Sequence, residues 1–358
     1  MSSLGEAGRT KLNDLASAAR CPHTLLRSPP YVALAASALL GLCPAQAQTP
    51  AGDWPMYNRD LAGSRHSPLT QITPENVAGL RQAWSYPIGR DATAGGLTGG
   101  SEFTPVVVDG VMYVAAADRI VALDADTGTE LWTYLPRSGA PSRRGVAYWA
   151  GDGARPARVF FTSGRSLIGL EADSGVPASG FGDGGVEIMP VVYNAAPLVY
   201  ENLLIVGSNS APGSVRAFDA VSAREVWEYR STPQAGEEGI ETWENETWRG
   251  QPNLLHWAFS MTLDAERGLL YTAFESPGPY DYYGGDRPGD NLFGNSIIAL
   301  DASTGERRWS IPKTIRAFLP DPVTEWDRTV PFSTIVRVAP DFTSMAKSEC
   351  CPILSAAA

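Results

Sequence analysis

The hydrophobic positions come as short apolar runs broken by tight turns, and one such unit recurs. Residues 122–132 read Ala-Leu-Asp-Ala-Asp-Thr-Gly-Thr-Glu-Leu-Trp. Two apolar residues end a strand, Asp-Ala-Asp-Thr-Gly reverses the chain, and Leu-Trp opens the next strand. The Asp and Thr side chains can bond the turn's own backbone, and Gly128 supplies the positive φ of the reversal. Residues 217–227 and 299–309 repeat the pattern with Trp227 and Trp309, and residues 169–175 form a weaker copy without the Trp. The anchors Asp124, Glu171, Asp219 and Asp301 stand about 47, 48 and 82 residues apart, so the last interval holds an insertion. A period of ~40–50 residues built from short strands predicts an all-β fold, a β-propeller.

The apolar runs place the strands. Residues 104–115 form two strands around Asp109-Gly110, a strong hairpin dipeptide, and residues 119–123 and 131–134 finish a first blade. Residues 158–162 and 166–170 give the second blade, 196–206 and 214–218 the third, and 258–273 and 296–300 the fourth. Residues 234–253 and 275–295 read as long loops. Upstream, residues 53–58 and 65–68 read as a surface loop, and Thr73-Pro74 starts a short helical turn. Residues 80–86 form a lone strand with the Trp pattern, of the kind that completes a last blade and closes a ring. After Trp309 the pattern stops. The expected organisation is a leader over 1–47, a segment with the ring-closing strand over 48–100, blades over 101–309 and an unrelated tail over 310–358.

Composition narrows the class. The chain of 358 residues is 44% hydrophobic and 19% charged, which is globular, and its 36 Gly and 28 Pro suit many turns. The net charge of −11 excludes a phosphate-binding face of the nucleic-acid type. Arg20 and Arg27 precede an apolar run over 31–42, and Ala45-Gln46-Ala47 fits a cleavage site for export to the periplasm. The run is too short to span a bilayer, so no transmembrane anchor is expected. Cleavage would remove Cys21 and Cys43 and leave only Cys350 and Cys351, so no disulfide is expected in the body of the fold. There is no Cys-x-x-Cys-His for a covalent haem.

The repeats, together with the stretches Arg-Gly-Val-Ala-Tyr-Trp-Ala-Gly-Asp-Gly at 144–153 and Asp-Tyr-Tyr-Gly-Gly-Asp-Arg-Pro-Gly-Asp-Asn at 281–291, resemble the quinoprotein dehydrogenases. These are exported eight-bladed propellers that bind pyrroloquinoline quinone (PQQ) and a divalent metal, usually calcium. The match covers roughly residues 53–309, with the glucose and alcohol dehydrogenases as its expected nearest members. The resemblance implies oxidation of an aldose or alcohol, with electrons passed to a quinone or cytochrome acceptor. PQQ is a flat tricarboxylate with an electrophilic carbonyl. It needs cations for its carboxylates, an aromatic platform and a Lewis acid. By resemblance, Arg144 binds a carboxylate and Trp257 stacks under the quinone. Asn209 and Ser210 supply polar contacts to cofactor or metal, and Ser276 stands where many members place a ligand to Ca2+ (or Mg2+). His256 reads as structural, and Asp281, Asp286 and Asp290 as a solvated loop.

Several positions depart from the family. Ser138 and Gly139 stand where the alcohol-oxidising branch has two adjacent cysteines. No Glu is found near Pro212, and residues 311–320 hold no carboxylate in register with the family's catalytic Asp, so no catalytic residue is identified. About four of eight blades are expected, which leaves open sheet edges and a marginal or aggregation-prone chain. The alternatives are a non-catalytic propeller scaffold of the cell envelope and an inert fragment of a dehydrogenase gene.

Overall fold

The structure, a computed structural model, describes residues 50, 52–89, 102–208, 212–250, 261–274, 288–294 and 296–312. Every described residue belongs to one unit, within residues 49–358.

Four antiparallel four-stranded sheets follow one another along the described chain, and each is a meander in sequence order. The first holds β1 (Val106–Val108), β2 (Val111–Ala115), β3 (Ile120–Asp124) and β4 (Glu130–Tyr134). The second holds β5 (Ala147–Trp149), β6 (Arg158–Ser163), β7 (Ser166–Glu171) and β8 (Val186–Ile188). The third holds β9 (Leu198–Tyr200), β10 (Leu203–Gly207), β11 (Ser214–Asp219) and β12 (Glu225–Arg230). The fourth holds β13 (Thr262–Asp264), β14 (Leu269–Phe274), β15 (Ser296–Asp301) and β16 (Arg307–Pro312). These are the sheets of a propeller, present in part. The Asp109-Gly110 hairpin forms as expected, with φ of +49° and +77° at its two residues, the values a type I′ turn requires. Central strands such as β6 are buried along their whole length, so apolar packing between sheets holds the fold. Each fully buried Phe or Leu there contributes about 1.5–3 kcal/mol.

The repeat explains how successive sheets join. Trp132 in β4 donates its indole N–H to the Ala172 carbonyl of the second sheet, 2.9 Å away. Its ring lies flat on Gly175 (φ +68°), where a Cβ would overlap it. Trp227 in β12 does the same to the fourth sheet, bonding the Ala302 carbonyl at 3.0 Å and covering Gly305. Trp84 bonds the Ala125 carbonyl at 3.1 Å and covers Gly128 of the first sheet. Each of these three turns is therefore a seat for a Trp that comes earlier in the chain, outside the turn's own sheet. Inside the sheet, a β-bulge sets each repeat Trp opposite an alanine: Ala122 to Trp132, Ala217 to Trp227, Ala299 to Trp309.

The weak copy obeys the same rule by substitution. The last strand of the second sheet, β8, has no Trp to offer, and the third sheet's turn has Ala223 at φ +66° where the others have Gly. A seat without a flat ring on it no longer excludes a Cβ. The carbonyl left without an indole, Ala220, accepts instead from Arg158 at 3.0 Å. Arg158 is 2% exposed and also donates to the carbonyls of Val221 (3.1 Å) and Ser179 (2.6 Å).

Three expectations change. Residues 53–58 and 65–68 are not a surface loop throughout. Trp54 exchanges two backbone bonds with Val107 of β1, the Leu263 amide of β13 donates to the Leu61 carbonyl, and Asn58 is buried. The segment thus straps the first sheet to the fourth. Residues 80–86 make no ladder with any described strand. They are held by Trp84, by Tyr86 donating to Glu130 (2.6 Å) and by packing on Val114, Val121 and Leu123. The second blade is not limited to the strands at 158–162 and 166–170, since the stretch 144–153 contains β5. The Thr73 turn is present, with the Val77 amide donating to the Thr73 carbonyl at 3.0 Å. In the stretch 234–253, short turns at Ile240–Thr242 and Glu244–Glu246 lead into a one-turn helix, α1 (Thr247–Gly250).

Candidate functional site

Arg144 stands just ahead of β5, where local bonding leaves the chain little freedom. The Ser142 amide donates to the Thr162 carbonyl of β6 (2.7 Å). The Ser142 hydroxyl donates to the Asn194 carbonyl (2.5 Å) and accepts from the Arg144 amide (3.2 Å). Gly145 then takes φ +97°, with room for a Cβ only 3.3 Å from Phe103.

The Arg144 side chain is 12% exposed and fixed at two points. Its Nε pairs with Glu102 Oε2 at 2.7 Å, and its Nη1 donates to Asn194 Oδ1 at 2.6 Å. Arg143 takes the other oxygen of the same carboxylate, Oε1, at 2.7 Å. Two guanidinium groups thus share one carboxylate, and the cluster keeps a positive excess in an acidic chain. Tyr193, wholly buried nearby, has its phenol pushed well above the ordinary tyrosine value by desolvation, with the Arg144 charge opposing the shift.

This arrangement sets a guanidinium in a defined orientation, and an oriented guanidinium is the group that pairs with a planar carboxylate. It fits one carboxylate of a polycarboxylate cofactor such as PQQ. The other residues expected for that role, Trp257, Asn209 and Ser210, lie outside the described residues, as do the expected metal contact Ser276, His256, Asp281 and Asp286. Asp290 is described and exposed. Among the described residues no three His, Cys, Asp or Glu side chains come together as a metal centre. No described helix is long and apolar enough to cross a membrane.

Gly139 has a local reason to be glycine. Its φ is +74°, and a Cβ there would lie 2.5 Å from the Ser163 hydroxyl. That hydroxyl reaches back to the Ser138 carbonyl at 3.5 Å. A cysteine at 139 would need this turn rebuilt.

Neither of two described cavities includes Arg144. One of about 30 Å³ lies between the strap and the inner strands, beside Tyr57, Asn58, Ala147, Tyr193 and Leu198, and holds about one water. The other, about 340 Å³ and open, lies between β12 and β16. Its ion pairs, Arg230–Glu237 (2.6 Å) and Arg307–Glu238 (2.5 Å), are satisfied within the protein.

Sequence reasoning singled out Arg144 as a candidate and did not single out Glu102, Ser142, Arg143 and Asn194, which surround it. The doublet Arg143-Arg144 was a visible signal in an acidic chain. Glu102 and Asn194 carry no local signal, because only the fold brings them to the arginine.

Residues 54–315 match the family model described as PQQ, glucose/ethanol/alcohol dehydrogenase, β-propeller domain. The chain is similar to the quinohemoprotein alcohol dehydrogenase of Comamonas testosteroni, 32% identical over 79% of this chain and 40% of that protein. It is also similar to methanol dehydrogenase [cytochrome c] subunit 1 of Methylobacterium organophilum, 30% identical over 77% of this chain and 46% of the relative. Among solved structures, the Comamonas testosteroni enzyme superposes with a TM-score of 0.61 at 30% identity, over 73% of this chain and 41% of that one. A europium-containing methanol dehydrogenase superposes with a TM-score of 0.59 at 26% identity, over 73% and 49%. The chain therefore spans less than half the length of these relatives.

Proposed function

The chain belongs to the PQQ β-propeller family of glucose/ethanol/alcohol dehydrogenases, and from that membership we propose that it serves the PQQ-dependent oxidation of an alcohol. The observation that carries the proposal is Arg144, fixed by Glu102 and Asn194 as an oriented cation inside a matched family segment. When bound, PQQ supplies the two-electron acceptor for a CH–OH group.

The described residues hold and orient. Arg144 binds one cofactor carboxylate, Glu102 and Asn194 keep its guanidinium from swinging away, and Arg143 offsets the charge of Glu102. Trp257 is assigned the stacking platform, Asn209 and Ser210 polar contacts, and Ser276 a contact to Ca2+ or Mg2+. No described residue is assigned the transfer of the alcohol proton. Names among the relatives favour an alcohol over an aldose, and they include cytochrome c in some cases and quinone in others, so both acceptors stay in the proposal. The segment from Arg20 to Ala47, read as an export leader, supports a periplasmic location.

The test is titration of the purified chain with PQQ and Ca2+, reading cofactor absorbance and melting temperature. Binding is expected in both. Arg144→Ala should weaken it ~10–100-fold, the worth of a charge-assisted bond to a carboxylate, and Arg144→Lys should recover part. A folded wild-type chain that gives neither signal sinks the proposal. Dye-linked turnover with ethanol against glucose then separates the two substrate classes.

A further inference from the structure

The charge around Arg144 runs against that of the chain as a whole. Three segments meet beside it: residues 135–146, the β6–β7 turn at 163–166 and residues 188–197. Together they hold Arg137, Arg143, Arg144 and Arg165 and no carboxylate. Backbone bonds set them side by side. The Ser142 amide donates to the Thr162 carbonyl (2.7 Å), the Tyr193 amide to the Gly164 carbonyl (3.3 Å) and the Met189 amide to the Arg165 carbonyl (2.8 Å). The described carboxylates at this end of the first two sheets are Glu102, paired with Arg143 and Arg144, Asp118, paired with Arg119 at 2.8 Å, and Glu187 of β8. The balance is an excess of two positive charges on a chain of net charge −11. The excess is local, since residues 234–250, between the third and fourth sheets, hold five glutamates and one arginine.

Arg137 and Arg165 take no part in the Glu102 pairs. Both are exposed, and Arg165 is tethered through its Nε to the Met189 carbonyl at 2.8 Å. PQQ carries three carboxylates, so an acidic chain repels it at long range while a local cationic face draws it in. Charges within a Debye length, about 10 Å at 0.1 M salt, act on an approaching ion without touching it. An alcohol or aldose is neutral, so the cofactor is the species on which this charge acts. From this we infer that Arg137 and Arg165 guide cofactor loading: they speed capture of the PQQ anion and leave its hold, once bound, to Arg144. The inference rests on the proposed PQQ binding and adds to it two residues that govern the rate of association.

Stopped-flow absorbance of PQQ, mixed with the Ca2+-loaded chain, reads association and dissociation separately. Arg137→Gln with Arg165→Gln should slow association roughly fivefold at about 10 mM salt. At about 0.5 M salt, where the Debye length is about 4 Å, the difference should shrink to less than about 1.5-fold. Dissociation should stay within about twofold of the wild type at both salts. Arg137→Lys with Arg165→Lys keeps both charges and should associate like the wild type. Arg137→Gln alone, which breaks no described bond, serves if the double variant does not fold, with roughly twofold slowing at low salt. The inference is overturned if association at low salt is unchanged, if the slowing persists at high salt, or if the Lys variant is slowed as much as the Gln variant. It is also overturned if the lost affinity lies in dissociation, since the two arginines would then be contacts. In each of these outcomes the wild-type chain still binds PQQ and the proposed function stands. A folded wild-type chain that binds no PQQ overturns both.

Discussion

At the scale of single residues, the repeat is a pair of matched requirements on neighbouring sheets. A flat indole can lie against a backbone turn only where no Cβ stands. Gly175 meets that condition at a φ that also penalises a side chain. Gly175→Ala should therefore cost about 2–4 kcal/mol, from the left-handed backbone and the overlap with Trp132, measured by urea unfolding. Ala223→Gly, at the one seat without an indole, should change stability by less than about 1 kcal/mol, since relief of strain and added unfolded-state freedom oppose each other. A similar loss at both positions would mean that the ring does not set the glycine requirement. The chain's own exception supports the pairing: where the Trp is missing, the glycine is missing too, and a buried arginine serves the carbonyl.

At the scale of elements, legibility in the sequence followed length and local chemistry. The Asp109-Gly110 hairpin and the Asp124, Asp219 and Asp301 turns were legible because their side chains and glycines act within a few residues. The carboxylate of Asp124, for example, accepts both the amide and the hydroxyl of Thr127 at 2.8 Å. Strands β5 and β8 were not legible, because three residues are too few to show a period. The strap over 54–65 was missed for another reason. Its polar, proline-containing sequence resembles a surface loop, and its burial depends on strands 50 to 200 residues away. Asn58 anchors it by accepting from Arg65 Nε at 2.7 Å. Asn58→Ala should destabilise by about 0.5–1.5 kcal/mol, the net contribution of the lost bond, because Arg65 is exposed and water can take the place of Asn58. Faster amide exchange in both 106–108 and 262–264 is expected, and a change confined to residues near 58 would refute the strap.

At the scale of the whole molecule, the sequence disclosed the family and the kind of fold, because repeat period and turn chemistry are properties of the chain as a string. It pointed to one described candidate residue, Arg144, through a local motif. Glu102 and Asn194 became visible only when the first and second sheets were set side by side. The seats also have a direction: every repeat Trp precedes the turn that receives it. During synthesis a sheet is therefore finished before its own Trp has anywhere to go, and each sheet is locked by the arrival of the next. Growth of the structure is a ratchet that advances from the amino end, with one aromatic ring always waiting at the front. Chains stalled on the ribosome with residues 1–260 emerged should protect the strand at 130–134 from exchange and leave that at 225–230 open. Emergence of residues 296–305 should close it. Protection of 225–230 before that point would show that the sheets lock by some other order.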